Sequence, residues 1–487
     1  MWKKLVLMFV MFVVVGLLPR LGHGQEAKMV LEGVAKAMGA VDLKSLQYAG
    51  SGTNFAVGQN LNPGVPWPRF NVKSYTRAIN YATVSMRDEL VRTQGEQPPR
   101  GGGQQPIVGE QRQIQVISGT HAWNQVGETI NPAPGAVADR LQQLWITPHG
   151  VIKAAMANKA TVQAQTEGDK KLTAISFIVP GRFKVKALVN ERNLVEKVES
   201  WSPNPVLGDM LTETTYTDYK DFDGVQFPTK IAQKQGGFPS LDLTVNNVKP
   251  NAPVDLHVPD NVRQAVVKVE TNKVADGVWY LTGGTHHSVL VEMKTYLVVI
   301  EGPQDDVRAT AVLDEAKRLV TDKPIRYVVN THHHFDHAGG LGPFVAEGAT
   351  IITHNVNKAF LEQSLAAPRT VQPDQLAQSR KKATIEGMPD KRVLSDETRT
   401  VELHLIQGST HHDGLIMAYL PKEKLLVEAD AYTPAPPNSP PPAQPNPFRV
   451  NLYDNIERLK LAVDQILPLH GRLVPLAELQ KAIGRAS

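Results

Sequence analysis

Cysteine is absent from all 487 residues. That excludes disulfides, a thiolate nucleophile and any sulfur-ligated metal, so a bound metal must be held by His, Asp or Glu. No block of Lys or Arg occurs in a chain whose net charge is only +4, which removes the electrostatic footprint of a nucleic-acid-binding protein. Long apolar runs are missing beyond the first residues. What remains, 41% hydrophobic and 21% charged, is the composition of a soluble globular protein, and the length calls for two domains.

The one long apolar run, Leu5 to Leu18, follows Lys3 and Lys4 and precedes Gly22-His23-Gly24 and Gln25-Glu26. It falls short of the roughly 20 residues that cross a bilayer. This layout predicts a secretory signal peptide over residues 1–24. The mature chain is then expected outside the cytoplasm, periplasmic or secreted, with no stable membrane span.

From Glu26 to Met38 the apolar spacing suits a helix. Period-two alternation over Arg77 to Met86 and over Ile114 to Ser118 predicts strands. Between them Gln97-Pro98-Pro99-Arg100-Gly101-Gly102-Gly103-Gln104 reads as a flexible surface loop. Ala136 to Ala157 reads as helix interrupted near Pro148. Strands follow at Lys171–Ile178, Leu194–Ser200, Thr212–Tyr219, Val225–Gln233 and Leu241–Val248. The expectation is one curved antiparallel sheet with one or two helices. The segment Tyr216 to Pro228 resembles the half-barrel of bacterial lipoprotein-carrier proteins. His121, His149 and His257 stand alone and read as structural or surface residues.

Asn251 to Asp260 marks a linker, beyond which strands and helices alternate and predict a layered α/β domain. Within it, Thr331-His332-His333-His334-Phe335-Asp336-His337-Ala338-Gly339-Gly340 follows the strand run Ile325 to Val329. Ligand-bearing loops gather at such strand ends. Imidazole and carboxylate suit zinc and similar divalent metals. His332 and His334 can point the same way, while Asp336 and His337 turn toward a neighbouring position. Four ligands in so short a stretch are too many for one ion with an open position and suit two. Gly339-Gly340 predicts a tight turn into the next helix.

The pattern His-x-His-x-Asp-His resembles the metal motif of the metallo-β-lactamase superfamily. The resemblance covers roughly residues 265 to 487 and implies a four-layer αββα sandwich. The chain therefore reads as a two-domain α+β/α/β protein: signal 1–24, a β-rich antiparallel domain over 25–260, and a metallo-β-lactamase-like sandwich over 261–487. The resemblance also implies further ligands. In Gly408-Ser409-Thr410-His411-His412-Asp413-Gly414 the ligand position falls on His411, with His412 as the alternative. Leu425 to Asp430 supplies Asp430 as the metal-bridging carboxylate, with Ala429 where the family usually has Gly. His470, after an amphipathic helix and a short strand, fits the last position.

The implied ligand set is His332, His334 and His411 for one ion, Asp336, His337 and His470 for the other, and Asp430 between them. Two divalent metal ions, zinc foremost, are the implied cofactors. Zinc lowers the pKa of bound water to about 7, so a hydroxide shared between the ions is the implied nucleophile, with Asp336 as the catalytic residue that orients it and shuttles a proton. Of the remaining histidines, His333 and His412 have room for an outer or substrate-facing role, while His286, His287, His354 and His404 read as packed or surface residues. Tyr432 reads as a packed aromatic. The Pro-rich stretch Thr433 to Pro447 is expected to border the pocket.

Without cysteine, the compatible β-lactamase subclass generally lacks the bridging Asp. Asp430 therefore points toward relatives of glyoxalase II, lactonases and phosphodiesterases. Export argues against cytosolic thioester or ribonuclease work. The expected activity is hydrolysis of a small-molecule ester, lactone or amide. β-Lactamase or phosphodiesterase activity at the same site, non-catalytic binding of metal or an apolar ligand, and di-iron redox chemistry are the alternatives.

Overall fold

The computed structural model describes residues 23–437, 439 and 444–485. Most of the leader read above lies outside them. Among the described residues no helix is long and apolar enough to cross a membrane.

The first half of the chain builds one thirteen-stranded sheet in which every neighbouring pair is antiparallel. Its middle is the pair Ser45–Phe55 and Phe238–Pro250, which joins the start of the domain to its end. Alternation of buried and exposed residues along Arg69–Asn80 gives the sheet one apolar face. On that face lie the helices His23–Ala37, Val137–Trp145 and Pro148–Ala157. Leu31, Val34, Met38, Leu141, Leu144, Val151 and Ile152 meet Leu46, Ile79, Phe183 and Phe227 in one core.

The run Arg77 to Met86 is not one strand. Two strands, Arg69–Asn80 and Ser85–Gln94, meet there in a turn. The Asn80 side chain accepts the N–H groups of Ala82 and Thr83, and Val84 takes a left-handed φ of 52°. Local side-chain hydrogen bonding overrides a pattern that alternates through the turn.

His149 is fully buried, stacked on Phe227, and donates Nε2–H to Met38 O at 3.1 Å. Burial pushes its pKa down to about 4. The unfolded chain takes up this proton below about pH 6.5, while the fold refuses it until about pH 4. Stability contributed here, roughly 3 kcal/mol at most, is present above pH 6.5 and lost as pH falls through that window. Thermal midpoints measured from pH 7 to 4 are expected to fall more steeply for wild type than for His149→Gln. Parallel curves would exclude the role.

After the link 251–259, a short helix Asp260–Arg263 leads into two further sheets. The first has seven strands, Glu270–Ala275, Val278–Thr282, Ser288–Glu292, Leu297–Ile300, Ile325–Val329, Thr350–His354 and Ile385–Met388, parallel from Leu297–Ile300 onward. The second has six, from Lys391–Ser395 to Val474–Pro475. Their inner faces pack through Val289, Val291, Val298, Ile300, Leu403, Ile416, Ala418 and Val427. Helices Asp306–Leu319, Leu341–Glu347 and Asn355–Leu365 cover the outside of the first sheet. Pro447–Leu459 and Leu476–Ala482 cover the second. The layering is αββα. Strands buried on both faces, such as Leu297–Ile300 and Ile416–Leu420, are uniformly apolar rather than alternating.

Candidate metal centre

The strand Ile325–Val329 ends at Asn330, which is fully buried and pins the histidine loop: its Nδ2 donates to His332 O at 2.7 Å and to His337 O at 3.2 Å. The one-turn helix Phe335–Ala338 then points Asp336 and His337 inward. Gly339 and Gly340 have ordinary negative φ, so a tight turn is not what requires them. A Cβ at Gly339 would sit 1.9 Å from Gln304 O, and one at Gly340 2.5 Å from Pro303 O. Close backbone approach is the reason for glycine.

Asp430 follows the strand Leu425–Glu428 in a left-handed conformation, φ 61°. Its Oδ2 lies 3.2 Å from His332 Nε2, 3.0 Å from His337 Nε2 and 3.1 Å from His411 Nε2, and its Oδ1 lies 3.0 Å from His470 Nε2. One carboxylate thus meets four imidazoles from three separate loops. The donor atoms form two groups, His332, His334, His411 and Asp430, and His286, Asp336, His337 and His470, each with its atoms within 4.8 Å of one another. All seven residues singled out from the sequence meet here. His411 rather than His412 faces Asp430. His286, read from sequence as packed or surface, sits inside the second group, with Nε2 3.1 Å from Asp336 Oδ2.

Hydrogen bonds set which nitrogen of each ring is free. His334 donates Nε2–H to Asn60 O at 2.9 Å, leaving Nδ1 buried without a partner. His337 donates Nδ1–H to Glu301 Oε2 at 3.1 Å, which turns Nε2 toward Asp430. Thr331 donates its hydroxyl to the same Glu301 oxygen and accepts from His332 Nδ1 at 3.1 Å, which turns His332 Nε2 inward. The partnerless Nδ1 of His334, buried beside the Asp430 cluster, fits a divalent cation.

Burial holds His332 down to about 3 and His334 well below the ordinary imidazole range. For His337 burial pulls the same way, but Asp430 and Asp336 outweigh it and raise the pKa; His470 is likewise raised by Asp430 against burial. Burial alone would raise Asp336 and Asp430, yet the surrounding imidazoles, His337 foremost, hold both well below the carboxylate range. The ionised carboxylates and the neutral His332 and His334 are in the form that metals require, and a bound cation would displace the proton that Asp430 favours on His337 and His470.

Glu301 is fully buried, has φ 80°, and was not evident from the sequence. It orients one ring of each group. Glu301→Gln is expected to weaken zinc binding by roughly 10–100-fold in a competition titration, and an unchanged affinity would remove this role.

His333 and His412 form a separate relay. Gly414 N–H donates to His412 Nδ1 at 2.9 Å, which puts the proton on Nε2 toward His333 Nδ1 at 2.5 Å; His333 Nε2–H then donates to Asn60 Oδ1 at 2.8 Å. Both rings are buried and neutral, each pKa lowered chiefly by burial. His287 donates to Gly471 O and packs on Tyr280, His354 caps the helix Asn355–Leu365, and His404 pairs with Glu402. Tyr432 is buried. Of the Pro-rich stretch, Pro434 packs against Gly471, next to His470, and Arg472 donates to Ala435 O.

Residues 281–462 match the sequence profile of the Metallo-beta-lactamase superfamily, a span that includes every residue of the two groups except His470. Similar solved structures include a metallo-β-lactamase from Pontibacter korlensis, 17% identical, covering 45% of this chain and 98% of that one with a TM-score of 0.35. Another is the metallo-β-lactamase FIM-1 from Pseudomonas aeruginosa in its mono-zinc form, 17% identical, covering 45% and 95% with a TM-score of 0.34. The 2,4-dinitroanisole O-demethylase subunit alpha of Nocardioides sp. (strain JS1661) is 24% identical over 172 residues, 34% of this chain and 47% of that protein. The chain thus spans about half the length of that relative. Profile match and αββα layering together assign the C-terminal domain to the metallo-β-lactamase superfamily of metal-dependent hydrolases.

Proposed function

We propose that this chain is an exported hydrolase that holds two divalent cations and cleaves a small ester, lactone or amide. The observation that carries the reading is Asp430, a single carboxylate in contact with rings from both donor groups. His332, His334 and His411 would hold one cation, Asp336, His337 and His470 the other, and Asp430 both. When bound, such cations supply Lewis acidity that activates water at neutral pH and takes up charge developing on the acyl oxygen.

The chain's own groups do the rest. Asp336 has the most exposed side chain of the cluster, 34% against 16% for Asp430, and its ionised form is placed to accept the proton of an attacking water. His286 holds Oδ2 of that carboxylate. Glu301 and Thr331 keep the ligand rings in one tautomer. Among the described residues, no lysine or arginine makes a hydrogen bond or ion pair to a cluster side chain. Export rests on the Lys3-Lys4 leader and its short apolar run.

The test is a screen of zinc-loaded protein against esters, lactones, amides, β-lactams and phosphodiesters. An activated aryl methyl ether belongs in it, given the O-demethylase relative. Hydrolysis of one of the first three classes, abolished by chelation, is expected. Turnover confined to the other substrates, or none, contradicts the reading.

A further inference from the structure

The β-rich domain reaches into the metal centre. After its first strand, the segment 56–62 meets the glycine run 101–103, and together they form a wedge against the histidine loop. Gly58 lies on the ring of Phe335, where a Cβ would come within 2.3 Å, and its carbonyl accepts Phe335 N–H at 3.2 Å. Gly101 N–H donates to Thr410 O at 2.8 Å, and Asp413 N–H donates to Leu61 O at 2.9 Å. The wedge is therefore tied to both loops that carry the histidines of the first group. The loop 97–104, flexible by composition, is here an ordered part of the site, with Gly101 and Gly102 buried.

Two side chains point from this wedge. Gln59 Oε1 accepts Gly103 N–H at 3.1 Å, which decides the orientation of the amide and leaves Nε2 donating to Asp336 Oδ1 at 2.7 Å. Gly102 backs this amide so closely that a Cβ would lie 2.0 Å from Gln59 Oε1 and 3.1 Å from His334 Cε1. Asn60 is buried. It accepts His334 Nε2–H on its carbonyl and His333 Nε2–H on its carboxamide oxygen, while its own Nδ2 donates to Val65 O at 2.9 Å.

We infer that the N-terminal domain completes the metal centre: Gln59 is a positioning residue that turns Asp336 so that Oδ2 faces His286 and His337, and Asn60 holds His334 with Nδ1 bare. The inference rests on the two-cation reading above. A carboxylate left free to rotate presents the wrong oxygen part of the time, and loss of such an outer hydrogen-bond partner typically weakens a metal site 10–100-fold. The wedge also settles the approach to the centre. It covers the side of His333 and His334, which are fully buried, and leaves open the side where His286, Asp336 and His470 keep 13%, 34% and 17% of their side-chain exposure. Substrate enters across the second group.

The test uses the full chain stripped of metal and titrated with zinc against a chromophoric chelator, for wild type, Gln59→Met and Gly102→Ala. Gln59→Met keeps length and loses the donor; Gly102→Ala displaces the amide from behind. In both, affinity for the second zinc is expected to fall about 10–100-fold, with kcat lowered at constant KM; in Gln59→Met the first zinc and the melting temperature are unchanged, while in Gly102→Ala, whose Cβ also reaches His334, the first zinc weakens less than the second. Wild-type affinity for both ions in Gln59→Met overturns the inference alone. Equal weakening of both ions together with a lowered melting temperature shows a merely structural role and also overturns it. Fewer than two zinc ions in the wild type defeats the underlying reading, and the inference with it, before any substitution is made.

Discussion

Asp430→Asn is expected to abolish turnover to within the noise of a hydrolysis assay and to cut bound zinc from two ions per chain to at most one. The substitution keeps the shape of the side chain and removes its charge and one acceptor. Both oxygens are in use, Oδ2 facing His332, His337 and His411, and Oδ1 facing His470. An amide presents a single oxygen, so one group loses its shared ligand. The cost must exceed the roughly 10–100-fold that follows loss of an outer hydrogen-bond partner. Metal content by inductively coupled plasma mass spectrometry and kcat on the best substrate are the readouts. Two ions and a kcat within tenfold of wild type would remove Asp430 from its bridging place.

Asp336→Ala is the second large effect. This carboxylate belongs to the more exposed group and has one oxygen held by Gln59 and the other by His286. Truncation removes a ligand of the second cation and the proton acceptor beside it, while the group of His332, His334, His411 and Asp430 stays whole. A proton-transfer residue contributes about 10²–10⁴-fold in rate. A loss in kcat of at least that size is expected, with one zinc still bound and the melting temperature retained. A variant that keeps both ions and loses less than tenfold would show that Asp336 neither ligates nor transfers the proton.

The centre was legible in sequence to the extent that its parts announce themselves locally. His332, His334, Asp336 and His337 stand together after an apolar strand, and His411, Asp430 and His470 each follow a strand in the order the resemblance implies. His286 was not legible because its partner Asp336 lies 50 residues away and nothing beside it marks a site. Glu301 looked like any residue at the end of a buried strand; only its contact with His337, 36 residues on, shows its use. Gln59 and Asn60 are harder still, separated from Asp336 and His333 by 277 and 273 residues. Amides at such distance leave no periodicity to read. Glycine content reports what the backbone can do and not what packs against it, which is why the run 101–103 read as a flexible loop. In the fold, apolar strands alternating with helices implied a layered α/β domain and the resemblance implied its αββα order, whereas the hairpin at Asn80 was hidden by alternation that continues through its turn.

The most direct measurement is to locate zinc by anomalous diffraction in crystals of the zinc-loaded full chain. Two peaks are expected, one against His332, His334 and His411, the other against Asp336, His337 and His470, with the Asp430 carboxylate touching both. A single peak away from Asp430, or no peak at all, would contradict the two-cation centre on which the proposed hydrolysis depends.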